Sequence, residues 1–242
     1  MAQRSEILNR IRNNIYNNGY HVTLVTGGEL PRFAYTIGCK ETIGSEFLFA
    51  GGEFYSKTDV SRIISEIVLL AKNEIDWQKL SINIDSLGYF SLAQADKSWS
   101  EQMTLGVFDY YNQTDITVWQ ILPDGNHRSL DVPNTSQKFD TTSQPIWKWL
   151  SQKWDFPVPN SSMAVTNLKV LFGEKATEVM RWEQDEWEIF SGAGPDIPDE
   201  NKLMVPLGLL IGIDNSLERT VHLDVGKGLW RDNIEFEWND WG

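Results

Sequence analysis

Residues 56–71 carry the pattern that most limits how this chain can fold: Val60, Ile63, Ile64, Ile67, Val68 and Ala71 recur three and four apart, behind Ser56 and Asp59 at capping-box spacing. A stripe that wide leaves water only by lying on a sheet. The neighbouring sequence supplies one. Residues 20–25, 33–37 and 46–50 are short runs rich in β-branched and aromatic side chains, and turn residues such as Gly27, Gly28, Pro31, Gly51 and Gly52 punctuate them. They read as strands of one antiparallel sheet. Ahead of them Ile7, Leu8, Ile11 and Ile15 mark an amphipathic helix that starts near Ser5 and stops at Asn17, Asn18 and Gly19.

Further strands are expected over 80–84, 89–92, 105–111 and 116–122, the last closed by Pro123, Asp124 and Gly125. Residues 125–143 read as a polar loop, 145–154 as a short Trp-bearing helix and 156–162 as a linker. The expected organisation is therefore an N-terminal α+β domain over 1–158 and a smaller, acidic, β-rich α+β domain over 159–242. The first is mostly antiparallel sheet with two or three helices. In the second, strands are expected over 168–172, 177–182 and 187–190, the last two forming a hairpin across Glu183, Gln184, Asp185 and Glu186. A helical turn over 206–213 and a strand over 220–225 complete it, with no repeat of fixed period.

With 242 residues, 41% of them hydrophobic, the chain can bury a substantial core. No apolar leader follows Met1, and no run approaches the roughly 18 apolar residues of a membrane span, so a cytoplasmic location is expected. Cys39 is the single cysteine, and His21, His127 and His222 are the only histidines. An intramolecular disulfide is thus excluded, a four-ligand Cys/His zinc site nearly so, and no cofactor is expected. The formal charge of −13 disfavours nucleic acid and anionic membranes as partners and makes a basic protein the natural complement, although acidity also serves solubility. That charge is uneven: residues after 160 include 16 acidic and 7 basic side chains, against 18 and 14 before.

Signals for catalysis are weak. There is no Gly-x-Ser-x-Gly elbow, and the three histidines stand alone, so the chain is not expected to be an enzyme. Cys39 beside Lys40 reads as a small buried strand-end residue rather than a thiolate. Val225, Gly226, Lys227 and Gly228 lack the leading glycine and following Ser or Thr of a phosphate loop, and read as a turn.

The carboxylates Glu183, Asp185, Glu186 and Glu188, and those of Asp232, Glu235, Glu237 and Asp240, lack calcium-loop spacing and read as solvated acidic surface with no metal. They are interleaved with Trp182, Trp187, Phe190, Trp230, Phe236, Trp238 and Trp241, so aromatic anchors adjoin steering charges as a binder of a basic protein requires. Core packing accounts for most of Trp182, Trp187 and Trp230, whereas Trp238 and Trp241 are better candidates for exposure. The candidate partner-binding set is Glu183, Asp185, Glu186, Glu188, Trp187, Trp238 and Trp241. The rival reading is a small-molecule or enzymatic pocket whose polar groups are Tyr35, Thr36 and His21. A structural adaptor is a third.

The stretches Gly19-Tyr20-His21-Val22, Phe33-Ala34-Tyr35-Thr36-Ile37-Gly38 and Glu46-Phe47 resemble the bacterial family called domain of unknown function four-two-six-two. Trp119-Gln120-Ile121-Leu122-Pro123-Asp124 is similar to that family's stretch running from Gln to Pro-Asp, and the resemblance covers residues 1–158. Met180-Arg181-Trp182-Glu183, Ser191 to Asp196, Val205-Pro206-Leu207-Gly208 and Gly228 to Asp232 resemble a C-terminal extension of such proteins and small immunity-type domains. The resemblance implies an immunity or inhibitor protein that neutralises a cognate antibacterial toxin, such as a secreted nuclease-type effector, by blocking its active or substrate-binding surface. It supplies no catalytic residues, and the family's usual Leu stands at Cys39.

Overall fold

The capping box forms: Ser56 Oγ accepts from the Asp59 N–H at 3.1 Å while Asp59 Oδ2 accepts from the Ser56 N–H at 2.9 Å. From it α3 (Lys57–Asn73) runs with all six stripe residues buried. The structure is a computed structural model that describes residues 2–74, 76–79, 81–232, 235 and 237–241. It is α+β, with two six-stranded mixed sheets among the described residues.

The chain divides into two compact units, Met1–Val25 with Arg32–Arg128 and Asn134–Phe139, and Thr26–Pro31 with Ser129–Pro133 and Asp140–Gly242. Within the first unit α1 (Ala2–Asn18) leads to β1 (His21–Val25), β2 (Phe33–Ile37), α2 (Lys40–Ile43), β3 (Glu46–Ala50) and α3. Then follow β4 (Ile82–Ile84), β5 (Gly88–Gln94), α4 (Lys97–Met103), α5 (Leu105–Tyr111) and β6 (Val118–Pro123). Of the strand expected over 80–84, Leu80 lies outside the described residues. The sheet order is β1-β2-β3-β6-β5-β4, antiparallel except where β3 runs parallel to β6.

β2 and β3 are buried at every position because both faces are covered. On one, Ala34, Phe47, Phe49, Phe90 and Ile121 form the core with the α3 stripe. On the other, α5 lies so close that a Cβ on Gly106 would collide with the Tyr35 hydroxyl, and Thr135 Oγ1 donates to Gln120 Oε1 at 2.7 Å.

In the second unit β7 (Met163–Asn167), α6 (Leu168–Leu171), β8 (Glu178–Arg181) and β9 (Glu186–Phe190) precede β10 (Lys202–Pro206), α7 (Leu207–Ile213), β11 (Gly228–Trp230) and β12 (Asn239–Trp241). Their order is β10-β7-β9-β8-β11-β12, antiparallel except for the β7–β9 pair. One face is buried, with Ala164, Val179, Trp187, Ile189, Val205 and Leu229 on it, and α7, which follows β10, buries Leu207, Leu209, Leu210 and Ile211.

Several expected boundaries are corrected. The 156–162 segment is no flexible linker: Trp149, Trp154 and Phe156 pack with ring centroids 4.9–5.7 Å apart, and Trp154 Nε1 donates to the Val158 carbonyl at 2.8 Å. The second unit accordingly begins well before 159, and part of the supposed 125–143 loop belongs to the first, where the Asp96 N–H donates to the Thr135 carbonyl at 2.7 Å. Residues 105–111 form helix rather than strand. Val107 is buried beneath an exposed Leu105, against the alternation a strand needs, and Asn112 ends the helix at φ 52°.

Adjacent Val170 and Leu171 are both buried in α6 where a strand was expected. Residues Asn215–His222 form a 3-10 helix, with Leu217, Thr220 and Val221 inward and Asp214 accepting from the Ser216 N–H, in place of the strand over 220–225. Among the described residues no helix is long and apolar enough to cross a membrane.

Candidate partner-binding face

The β8–β9 hairpin places its side chains by parity. Arg181 pairs with Trp187 and Met180 with Glu188, so Trp187 points into the core while Glu186 and Glu188 point away from it. Beyond the register, the Trp182 N–H donates to the Glu186 carbonyl at 3.0 Å, which puts Trp182 on the outer face with Glu186. Exposure follows: Trp187 retains 1% of its surface and Trp182 50%. The same parity turns Met163 and Val165 of β7, Met204 of β10, Met180 and Glu178 of β8, and Trp230 and Trp241 outward.

The outer face is therefore apolar and acidic at once. Met204 is 64% exposed, Trp230 and Trp241 43% each, well beyond the isolated apolar residue that needs no explanation. Glu178, Glu186 and Glu188 stand among them, and among the described residues no cation pairs with any of the three. Two grooves indent it. One, of about 350 Å³, lies between Trp182 and Trp241 with Met180, Phe190, Glu178 and Glu188 lining it; the other, of about 230 Å³, lies beside Met163, Met204, Asp185 and Glu186. Trp182 and Glu188 border both.

The face is held firmly from behind. The Arg181 guanidinium donates to the carbonyls of Leu223 at 2.5 Å, Gln184 at 2.7 Å and Glu183 at 3.2 Å, fixing the acidic turn while stacking on Trp187 with its carbon 4.8 Å from the ring centroid. The C-terminal strands are anchored by Arg231, which donates to Asp214 Oδ2 at 2.7 Å and to the Ala176 carbonyl at 2.6 Å, with Trp238 stacked on it at 4.1 Å. Burial works against the charge of Asp214, but hydrogen bonds from Arg231 and Ser216 outweigh it and hold its pKa below the usual carboxylate value.

Of the sequence-derived set, Glu183, Asp185, Glu186, Glu188 and Trp241 come together at this face and its edge. Trp187 does not: parity makes it a core residue. Trp238 is half-buried against Arg231, its Nε1 donating to Ser216 Oγ at 3.3 Å. Phe236 lies outside the described residues. Trp182 and Trp230, read from sequence mostly as core, are surface residues, and Met163, Met180, Met204 and Glu178 had not been singled out. The alternation of Met163 and Val165 with Ala164 and Thr166 fits a strand but does not tell which side faces outward.

The remaining candidates are structural. Tyr35 and Thr36 sit in filled core: Tyr35 meets Gly106, its hydroxyl pKa raised by burial, and Thr36 Oγ1 donates to Glu46 Oε2 at 2.5 Å. His21 bonds Asn14 at 2.8 Å. Burial, reinforced by the neighbouring Glu46 carboxylate, pushes the Cys39 thiol up to about 12. Gly226 turns the 225–228 segment at φ 80° with its N–H on the Arg181 carbonyl. Among the described residues no three His, Cys, Asp or Glu side chains converge as a metal ion would require. No family model, no curated protein and no solved structure matches the chain.

Proposed function

We propose that this chain is a binding protein of the inhibitor or immunity type, which captures a basic protein on the outer face of its second sheet. The observation that carries the reading is the coincidence there of exposed Trp and Met side chains with three carboxylates that no cation among the described residues pairs with. Apolar anchors supply short-range energy and unpaired charge steers approach. The motif similarity to domain of unknown function four-two-six-two and to immunity-type domains gives the reading its particular form. The partner is then a cognate antibacterial toxin, such as a secreted nuclease-type enzyme whose cationic groove the acidic face occupies, and the inhibitor acts in the cytoplasm without a cofactor.

The test is a comparison of the tagged chain with its E183K/D185K/E186K/E188K variant in pull-downs from the producing cells at low and moderate salt, followed by association kinetics with the recovered partner. One basic protein retained by the parent and lost by the variant is expected, with slower association and a flatter salt dependence for the variant. Equal retention by both proteins, or association indifferent to salt, refutes the reading.

A further inference from the structure

We propose that the groove between Trp182 and Trp241 is a socket for a single arginine side chain of the partner. The inference rests on the binding reading above and gives its central contact. Twice inside this unit a guanidinium lies over an indole: Arg181 on Trp187 at 4.8 Å and Arg231 on Trp238 at 4.1 Å, the latter also donating to the Asp214 carboxylate at 2.7 Å. The groove repeats two parts of that arrangement and lacks the third. Trp182 and Trp241 border it, Met180 and Phe190 add apolar lining, and Glu188 and Glu178 supply carboxylates.

The lining has one cation, Lys202, and it is turned to Asp199 at 2.9 Å. Glu178 Oε2 accepts from the Gly194 N–H at 2.9 Å, which fixes that side chain. The Glu188 carboxylate accepts no hydrogen bond from any described residue and pairs with no cation among them, so it is the carboxylate open to an incoming donor. A guanidinium suits this site better than an ammonium because its plane stacks on indole while its edge donates two parallel hydrogen bonds to a carboxylate. The groove's 350 Å³ leaves room for the aliphatic stem to lie along Met180 and Phe190. The position of Trp241 is itself set by sequence: Gly228 pairs with it, and a Cβ there would stand 3.1 Å from Trp241 Cε3 and 3.2 Å from Met180 Sδ.

The experiment is a titration of the ¹⁵N-labelled full chain with N-acetyl-arginine amide, N-acetyl-lysine amide and uncharged N-acetyl-norleucine amide, following the indole N–H resonances assigned through W182F and W241F. The arginine amide is expected to shift the Trp182 and Trp241 signals saturably. Glu188→Gln should weaken that binding about tenfold, the scale of one charge-assisted contact, while the remaining indole signals stay in place. Equal binding of norleucine amide makes the groove merely apolar and overturns the proposal, as does equal binding of lysine amide or no shift with any probe. A silent groove alongside loss of the basic partner in the charge-reversed variant sinks the socket and leaves the binding face standing. Arginine binding with no basic partner retained does the reverse.

Discussion

β2 and β3 of the first sheet are buried at every residue, whereas β7, β9 and β10 of the second keep partly exposed or exposed side chains at Met163, Val165, Glu186, Glu188 and Met204. The contrast extends to how each sheet uses a carboxylate. Glu46, fully buried in the first, accepts from Thr36 Oγ1 at 2.5 Å, the Gly38 and Lys40 N–H groups at 2.9 and 3.0 Å and the Tyr111 hydroxyl at 2.9 Å. Its charge is consumed internally, tying β2, α2 and α5 to β3. The carboxylates of Glu186 and Glu188 in the second sheet accept nothing from the described residues. A carboxylate surrounded by donors is architecture; carboxylates without donors among exposed tryptophans are what the proposed binding face requires.

The sharpest break of that distinction would come from the two indoles of one hairpin. Trp187→Ala removes a core side chain and is expected to cost about 3–5 kcal/mol, while Trp182→Ala should stay within about 0.5 kcal/mol. Guanidinium unfolding midpoints decide it, and equal losses would mean the two faces are not different in kind. Next in size is Glu46→Gln. The amide can keep its oxygen for the Gly38, Lys40 and Tyr111 donors on Oε1 but then turns an N–H₂ group toward the Thr36 hydroxyl on Oε2, and it loses the charge at all four contacts, for an expected loss of about 1.5–3 kcal/mol, the value of hydrogen bonds to a charged group. Glu188→Gln measured in parallel should show almost none.

How much of this was legible follows the same division. The first sheet and α3 could be read because their apolar residues keep one period over five or more positions and their turns carry glycine. The outer face of the second could not. Whether Trp182 or Trp187 is buried depends on the strand pairing across the Glu183–Glu186 turn, and both stand in equally polar company. β11 is three residues long, and it is placed by pairing Gly228 with Met180 some fifty positions earlier in the chain; no local period marks such a strand. Residues 105–111 and 220–225 misled for the opposite reason, since aromatic and β-branched content suggested strand where the first is α-helix and Thr220, Val221 and His222 close a 3-10 helix capped by Asp214.

Acid should separate the units. Burial and the charge of Arg10 lower the pKa of His21, so the unfolded chain takes up that proton first; stability from the neutral imidazole is present above about pH 6.5 and is lost as pH falls through the lower folded value. Asp214 is also depressed, but from a carboxylate reference, so its contribution holds above about pH 3.9 and disappears only as pH falls further. Hydrogen exchange between pH 7 and 4 is therefore expected to loosen β1 and α1 of the first unit while the β11 amides stay protected. Simultaneous loosening would show that a different group governs the acid limb.

The smallest stability effect is the most informative. The Glu186→Gln/Glu188→Gln double variant removes two like charges from one strand face, where they repel each other and pair with no cation among the described residues. Unfolding free energy should be unchanged or raised by a few tenths of a kcal/mol at low salt, the gain fading as salt screens the repulsion. Residues that contribute to folding do not behave so, and such an outcome would leave these two charges with no part in stability. A loss above about 1 kcal/mol would place these carboxylates with Glu46 as architecture. No loss, combined with abolished capture of the basic partner, would make the outer face of the second sheet the part of the molecule that folding leaves free to act.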